Sequence, residues 1–263
     1  MLKNADCGKI GCVVHEAAAL GFAVAADDYE SSRPGYPADA VFWLMERLWL
    51  DERSVYVDLA AGTGKLTRLL APLVGRTVAV EPVEAMRSKL HSVLPQAEVL
   101  EGTAESLPLP DASGDAVTVA QAFHWFDAAA AAREIHRVLR PGGRLAIVWN
   151  RRDLSDPAHA SIEEIVQRHR GETPSHRSSG WRSETEGTGL FRVADETEIE
   201  FTHEVSRAGL VARVASISFM AALPDERKRE ALADARALAD RLEEPIPLPH
   251  TCELFCLERL AGR

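Results

Sequence analysis

The feature that most constrains this chain is a short apolar run that ends in a glycine loop. Val55-Tyr56-Val57-Asp58-Leu59 leads straight into Ala60-Ala61-Gly62-Thr63-Gly64. Leu66, Leu69, Leu70 and Leu73 then recur at helical spacing. Strand, tight turn and helix in that order open a β–α unit, and the pattern repeats downstream. Residues 77–80 read as a second strand, 83–93 as a helix, 97–100 as a third strand and 116–120 as a fourth. Asp127 is suited to cap a helix that runs through the alanines to Leu139 and stops before Pro141. Gly142 and Gly143 turn the chain into a fifth strand over 145–149. This alternation predicts an α/β fold, doubly wound, with a mostly parallel, Rossmann-like sheet covered on both faces. Ligands bind such sheets at the carboxyl ends of the strands.

Both flanks differ from this core. Residues 1–53 carry Tyr29, Arg33, Pro34, Tyr36 and Pro37, then a helix with Trp43 and Trp49, and read as an N-terminal helical cap or lid. Residues 54–150 form the core. Residues 151–190 read as an inserted cap segment, with a helix near 161–168 and a polar loop over 171–186 as its most mobile part. Residues 191–263 complete the core sheet, with strands at 197–205 and 253–257 and two helical stretches between them.

Composition narrows the partners. The formal net charge of -10 argues against nucleic acid and anionic membranes, which select basic surfaces. Cys7, Cys12, Cys252 and Cys256 are too sparse for a disulfide scaffold, and their spacing suggests no metal site. His15 and Glu16 interrupt the apolar run over 11–26, which is therefore a poor signal peptide. With no stretch apolar enough to span a bilayer, a cytoplasmic location is expected.

The glycine loop follows a strand and opens a helix, where a backbone must approach a ligand closely. A dinucleotide fingerprint needs a third glycine where Thr67 stands. A phosphate-binding P-loop needs glycine at Leu59 and a hydroxyl at Leu66. Neither pattern fits. Glu81, in Ala79-Val80-Glu81-Pro82, ends the second strand, and a carboxylate there accepts both hydroxyls of a ribose. Glu101-Gly102-Thr103-Ala104-Glu105 follows the third strand, and Gln121-Ala122-Phe123-His124-Trp125-Phe126-Asp127 follows the fourth.

Taken together, residues 29–149 resemble the class I S-adenosylmethionine-dependent methyltransferases of the broad type-11 family. The carriers are an acidic residue before alternating glycines, Glu81, the segment after Glu101, and Leu139-Arg140-Pro141-Gly142-Gly143. Ser32-Arg33-Pro34-Gly35-Tyr36-Pro37 and His124-Trp125-Phe126-Asp127 look closest to the trans-aconitate methyltransferase-like branch. The family usually has glycine at Ala60 and often aspartate at Thr103. The Ala60 departure is expected to tighten the turn slightly. The resemblance implies a seven-stranded sheet and S-adenosylmethionine as cofactor. It implies contacts from Arg33, Asp58, Ala60, Gly62, Gly64, Glu81, Pro82, Met86, Thr103, Ala104, Glu105 and Gln121.

The reaction it implies is methyl transfer by direct displacement to oxygen or nitrogen of a small-molecule acceptor. His124 is the one histidine expected at the carboxyl edge, and is either a general base or a residue that holds its loop. Tyr29, Tyr36, Trp125, Trp149 and Arg151 are candidates for contact with the acceptor. The protein is expected to act as a monomer or homodimer. The alternative is a cofactor-binding protein of the same fold that does not methylate, such as a cyclase or a regulatory partner subunit.

Overall fold

The computed structural model describes residues 32–170, 180–217, 220 and 223–261. Tyr29, the apolar run over 11–26, Cys7 and Cys12 lie outside the described residues, as does most of the loop expected over 171–186. In chain order the described elements are helix α1 (Ala38–Arg47), strand β1 (Val55–Leu59), helix α2 (Thr67–Leu70), strand β2 (Arg76–Val80), helix α3 (Glu84–Val93), and strands β3 (Glu98–Leu100) and β4 (Gly114–Ala120). They continue with helix α4 (Ala128–Val138), strand β5 (Leu139–Arg152), helices α5 (Pro157–Arg170) and α6 (Trp181–Gly187), and strand β6 (Phe191–Val205). Helices α7 (Arg207–Ala215) and α8 (Asp225–Ala239) and strand β7 (Ile246–Arg259) end the described chain.

The seven strands form one sheet in the order β3-β2-β1-β4-β5-β7-β6. Strands β1 to β5 run parallel, and β7 pairs antiparallel with β5 from Arg144↔Glu258 to Arg152↔His250. The order reverses across β1 and β4, which pair Leu59 with Val119. The loops after these two strands therefore emerge side by side, at the switch point where doubly wound sheets bind ligands.

Local chemistry explains the elements. Four of the five residues of β1 are buried, as suits a central parallel strand. In α4 the Asp127 side chain accepts the Ala130 N–H at 2.9 Å, and Ala131, Ala132, Ile135 and Val138 bury one face. These side chains join Val57, Val78, Val117, Leu145 and Ile147 in the core of the sheet. Strand β6 lies at the edge and alternates exposed charged residues, Arg192, Glu196, Glu198 and Glu200 among them, which discourages pairing with another chain.

Several elements depart from the sequence expectation. The leucine repeat over 66–73 yields one turn of α-helix and then a 3-10 turn at Ala71–Leu73, leaving Leu69 and Leu73 exposed. Pro72 has no N–H to continue an α-helix. Trp49 falls outside α1, with φ 54° and the Arg144 guanidinium 3.5 Å over its ring. Strand β5 already begins at Leu139, and its register with β4 shifts between Gly114↔Leu139 and Ala116↔Arg144 to take up Pro141-Gly142-Gly143. The 181–186 part of the expected loop is helical. Trp181 anchors it, with ring centroids 6.0 Å from Phe123 and 5.1 Å from Phe255.

By contact the chain forms two compact units, which divide it differently from the linear segmentation above. One contains residues 34–153, 180–203 and 249–261 and holds the central strands and most of the sheet. The other, among the described residues, contains Ser32, Arg33, 154–170 and most of 204–248. Its core is Ile162 and Val166 from α5, Leu210 and Val214 from α7, and Ala231, Ala235 and Leu238 from α8.

Candidate active site

The glycine loop keeps the bend that its sequence calls for. Ala60, Gly62 and Gly64 have φ of 55°, 58° and 84°. Ala60 therefore adopts the left-handed conformation that its Cβ disfavours by about 1–2 kcal/mol. The turn thus carries a glycine-like backbone at an alanine and bears that strain. A side chain at Gly64 would be strained by its φ and would also crowd Leu90, with a Cβ 3.0 Å from that side chain.

Two buried carboxylates flank this loop. Glu81 follows β2 and is 5% exposed. One of its oxygens accepts the Gly62 N–H and the other the Val83 N–H, both at 2.9 Å. Burial pushes its carboxyl above the usual range against the pull of these donors and of Arg87, and the neighbouring Asp58 pushes the same way. Each oxygen keeps a further lone pair for a ligand hydroxyl. Arg87 braces this turn from α3, donating to the carbonyls of Glu81 and Pro82 and pairing with Glu101 at 2.9 Å. Sequence reading missed Arg87; its one signal is a cation a single turn into the helix that follows an acidic strand end.

Asp58, the last but one residue of β1, is 1% exposed. It accepts the Thr67 hydroxyl at 2.6 Å and the Thr118 hydroxyl at 2.9 Å. Tyr56 Oη lies 2.8 Å from the same Thr118 hydroxyl. Burial raises the Asp58 carboxyl to about 6 despite these donors. No local pattern points to Thr67, Thr118 or Tyr56.

The other expected donor-side residues are spread along the same edge. Ala104 is buried, Thr103 is exposed and bridged to Ser106, and the Glu105 carboxylate accepts the Asp127 N–H at 3.1 Å. Gly102 lets this segment close on β2, since a Cβ there would lie 2.6 Å from Pro108 and 3.0 Å from Val80. Pro82 is exposed, and Met86 is buried at the start of α3. Gln121 directly follows β4 with φ 61°, and its N–H donates to the Val148 carbonyl at 2.9 Å. Its side-chain nitrogen is buried without an acceptor among the described residues.

A second group gathers beyond β4 and β5. His124 sits in a 3-10 turn, Phe123–Trp125. Its ring centroid is 4.6 Å from Trp125 and 5.3 Å from Trp149, both tilted. The next residue, Asn150, donates to the Gly35 carbonyl at 2.9 Å and ties the Pro34-Gly35-Tyr36 turn to β5, where Tyr36 packs against the Ala40 and Leu44 cluster. Arg151 is engaged elsewhere: it pairs with Glu253 at 2.7 Å and Glu198 at 3.3 Å, and the Glu253 hydrogen bond raises its pKa. Arg33 belongs to the other compact unit, where it donates to the hydroxyl and carbonyl of Ser216 at 3.2 and 2.8 Å. Among the described residues no helix is long and apolar enough to cross a membrane.

Comparison with known proteins bears on this arrangement. Residues 57–147 match the type-11 family described as a methyltransferase domain. An uncharacterized methyltransferase of Mycobacterium tuberculosis is 38% identical over 240 residues, covering 89% of this chain and 94% of its own length. An uncharacterized methyltransferase-like protein of Schizosaccharomyces pombe is 34% identical over 221 residues, covering 84% of both. Among solved structures, the YcgJ protein of Bacillus subtilis superposes with a TM-score of 0.56 at 20% identity, over 86% of this chain and 100% of its own. That last likeness speaks for the fold.

Proposed function

The chain belongs to the methyltransferases, and from that premise we propose that it takes a methyl group from S-adenosylmethionine and delivers it to oxygen or nitrogen of a small molecule. The observation that carries the cofactor half is the Glu81 carboxylate, buried beside the glycine loop and held by the Gly62 and Val83 amides with one lone pair left on each oxygen. That set fits the paired hydroxyls of a ribose. The left-handed loop brings its backbone close to a ligand. The buried Gln121 amide supports the same fit, because a bound polar group supplies its missing partner. In this reading Asp58, Ala60, Gly62, Gly64, Glu81, Pro82, Met86, Thr103, Ala104, Glu105 and Gln121 form the donor site, with Arg33 as a further proposed contact to the cofactor.

When bound, the cofactor supplies an electrophilic methyl on a sulfonium. The protein's task is then to align an acceptor and exclude water. Trp125 and Trp149 offer apolar walls for that purpose, with Tyr29, Tyr36 and Arg151 as further contacts. His124 packs against both indoles and takes a proton from a hydroxyl or ammonium acceptor; an acceptor already ionised needs only to be positioned. The SRPGYP and HWFD segments support an assignment to the trans-aconitate methyltransferase-like branch, with action in the cytoplasm as a monomer or homodimer on a small molecule rather than on nucleic acid or membrane.

A crystal grown with S-adenosylhomocysteine, the demethylated product, tests the reading. Both ribose hydroxyls should lie on Glu81 and the adenine should meet the 103–105 segment, with the thioether facing His124. A ligand bound away from Glu81 would overturn it.

A further inference from the structure

The hydroxyl groups around Asp58 form a chain with one consistent donor order. Thr118 Oγ donates to one carboxylate oxygen of Asp58, so Tyr56 Oη donates to Thr118. Thr67 Oγ donates to the other oxygen. These three residues come from different elements: Tyr56 from β1, Thr118 from β4, and Thr67 from the first turn of α2. Thr67 lies beyond the loop and Asp58 before it. Their hydrogen bond therefore clamps the two ends of Ala60–Gly64, while Thr118 ties the same carboxylate to the strand that delivers Gln121 and His124.

We propose that Tyr56, Thr67 and Thr118 are positioning residues for the methyl donor, which through the Asp58 carboxylate hold the glycine loop in its binding geometry. The inference rests on the S-adenosylmethionine reading above. It explains why a fully buried carboxylate held by two threonine hydroxyls stands at this point. A loop carrying a left-handed alanine needs an external restraint to persist. Two hydroxyl donors to one carboxylate supply that restraint at both ends and stay satisfied in the absence of ligand.

The arrangement also has a pH signature. The titratable groups around Asp58 are Tyr56 on its own strand and Glu81 from the neighbouring strand end, itself faced by Arg87. Hydroxyl donors favour the ionised carboxylate, and burial favours the protonated one, which holds the group at about 6. The amino-acid end of the cofactor carries an ammonium, which is drawn to an ionised carboxylate. Affinity should therefore rise with pH through the ionisation of Asp58. Removing a hydroxyl donor should move that rise to higher pH. Glu81 accepts backbone amides and none of these hydroxyls, so the shift enters through Asp58 and reaches Glu81 only through the charge of Asp58.

Binding of S-adenosylhomocysteine by calorimetry from pH 5 to 8 tests this in the full chain. Thr67→Val and Thr118→Val should each weaken binding about tenfold near neutral pH, the loss expected for a hydrogen bond to a charged group. Their pH midpoints should shift upward. Thr67→Ser and Thr118→Ser, which keep the hydroxyl, should bind within about twofold of wild type. Tyr56→Phe should weaken binding a few-fold and serves as the probe if a valine variant does not fold. Wild-type affinity and an unmoved midpoint in the folded valine variants, or in Tyr56→Phe, would overturn the inference. So would serine variants that fail to restore binding while melting like wild type. Absence of binding by the folded wild-type protein would instead overturn the cofactor reading itself.

Discussion

The two halves of the candidate site are built from different materials. Around β1 and β2 the groups are backbone amides and buried carboxylates, and almost every polar atom is engaged by the protein: Glu81 by Gly62 and Val83, Asp58 by Thr67 and Thr118. Beyond β4 and β5 the groups are rings, with His124 against Trp125 and Trp149 and Phe123 against Phe126 and Trp181. In the proposed function the first half takes one ligand with fixed hydroxyl and amide positions, and the second is an aromatic wall for the acceptor. A donor common to a whole family demands the former, and an acceptor peculiar to one enzyme shapes the latter.

The sharpest way to break this contrast is His124. If it takes the acceptor's proton, His124→Ala should lower turnover by about a hundredfold, while S-adenosylhomocysteine binds as before. His124→Gln should not recover that rate, because an amide hydrogen-bonds without accepting the proton. Full recovery by glutamine would leave His124 a structural part of the wall. The smallest effect lies in the other half, at Ala60. Ala60→Gly should raise unfolding stability by about 1 kcal/mol, read as a higher denaturant midpoint at unchanged slope, because glycine relieves the left-handed strain. An unchanged midpoint would show that the loop is not strained in the free protein.

The contrast also explains what the sequence made legible. Asp58 to Gly64 and Glu81 could be read because strand, turn and carboxylate are contiguous, and local backbone needs select residue types there. The parallel sheet followed from the same local rhythm, as did the cap of α4 at Asp127. What escaped was set by contacts far apart in sequence. Thr118 reaches Asp58 across 60 positions and Tyr56 across 62, so no spacing rule marks them. Trp181 turns a polar stretch into helix α6 by packing on Phe123 and Phe255. Arg151 pairs with Glu198 of β6 and Glu253 of β7, partners 47 and 102 positions away that no local pattern announces. The leucine repeat after the loop misled because periodicity ignores the missing N–H of Pro72.

The central claim is that the Glu81 carboxylate beside the glycine loop holds the ribose of S-adenosylmethionine. Its most direct test is a calorimetric titration of wild type and Glu81→Ala with S-adenosylhomocysteine and, separately, NAD. Each hydrogen bond to a charged acceptor contributes about 1.5–3 kcal/mol, so the variant should lose at least about tenfold in affinity for S-adenosylhomocysteine. Its unfolding should remain cooperative, and neither protein should bind NAD tightly. Equal affinity of the two proteins for S-adenosylhomocysteine, or tight binding of NAD by wild type with no response to S-adenosylhomocysteine, would contradict the account.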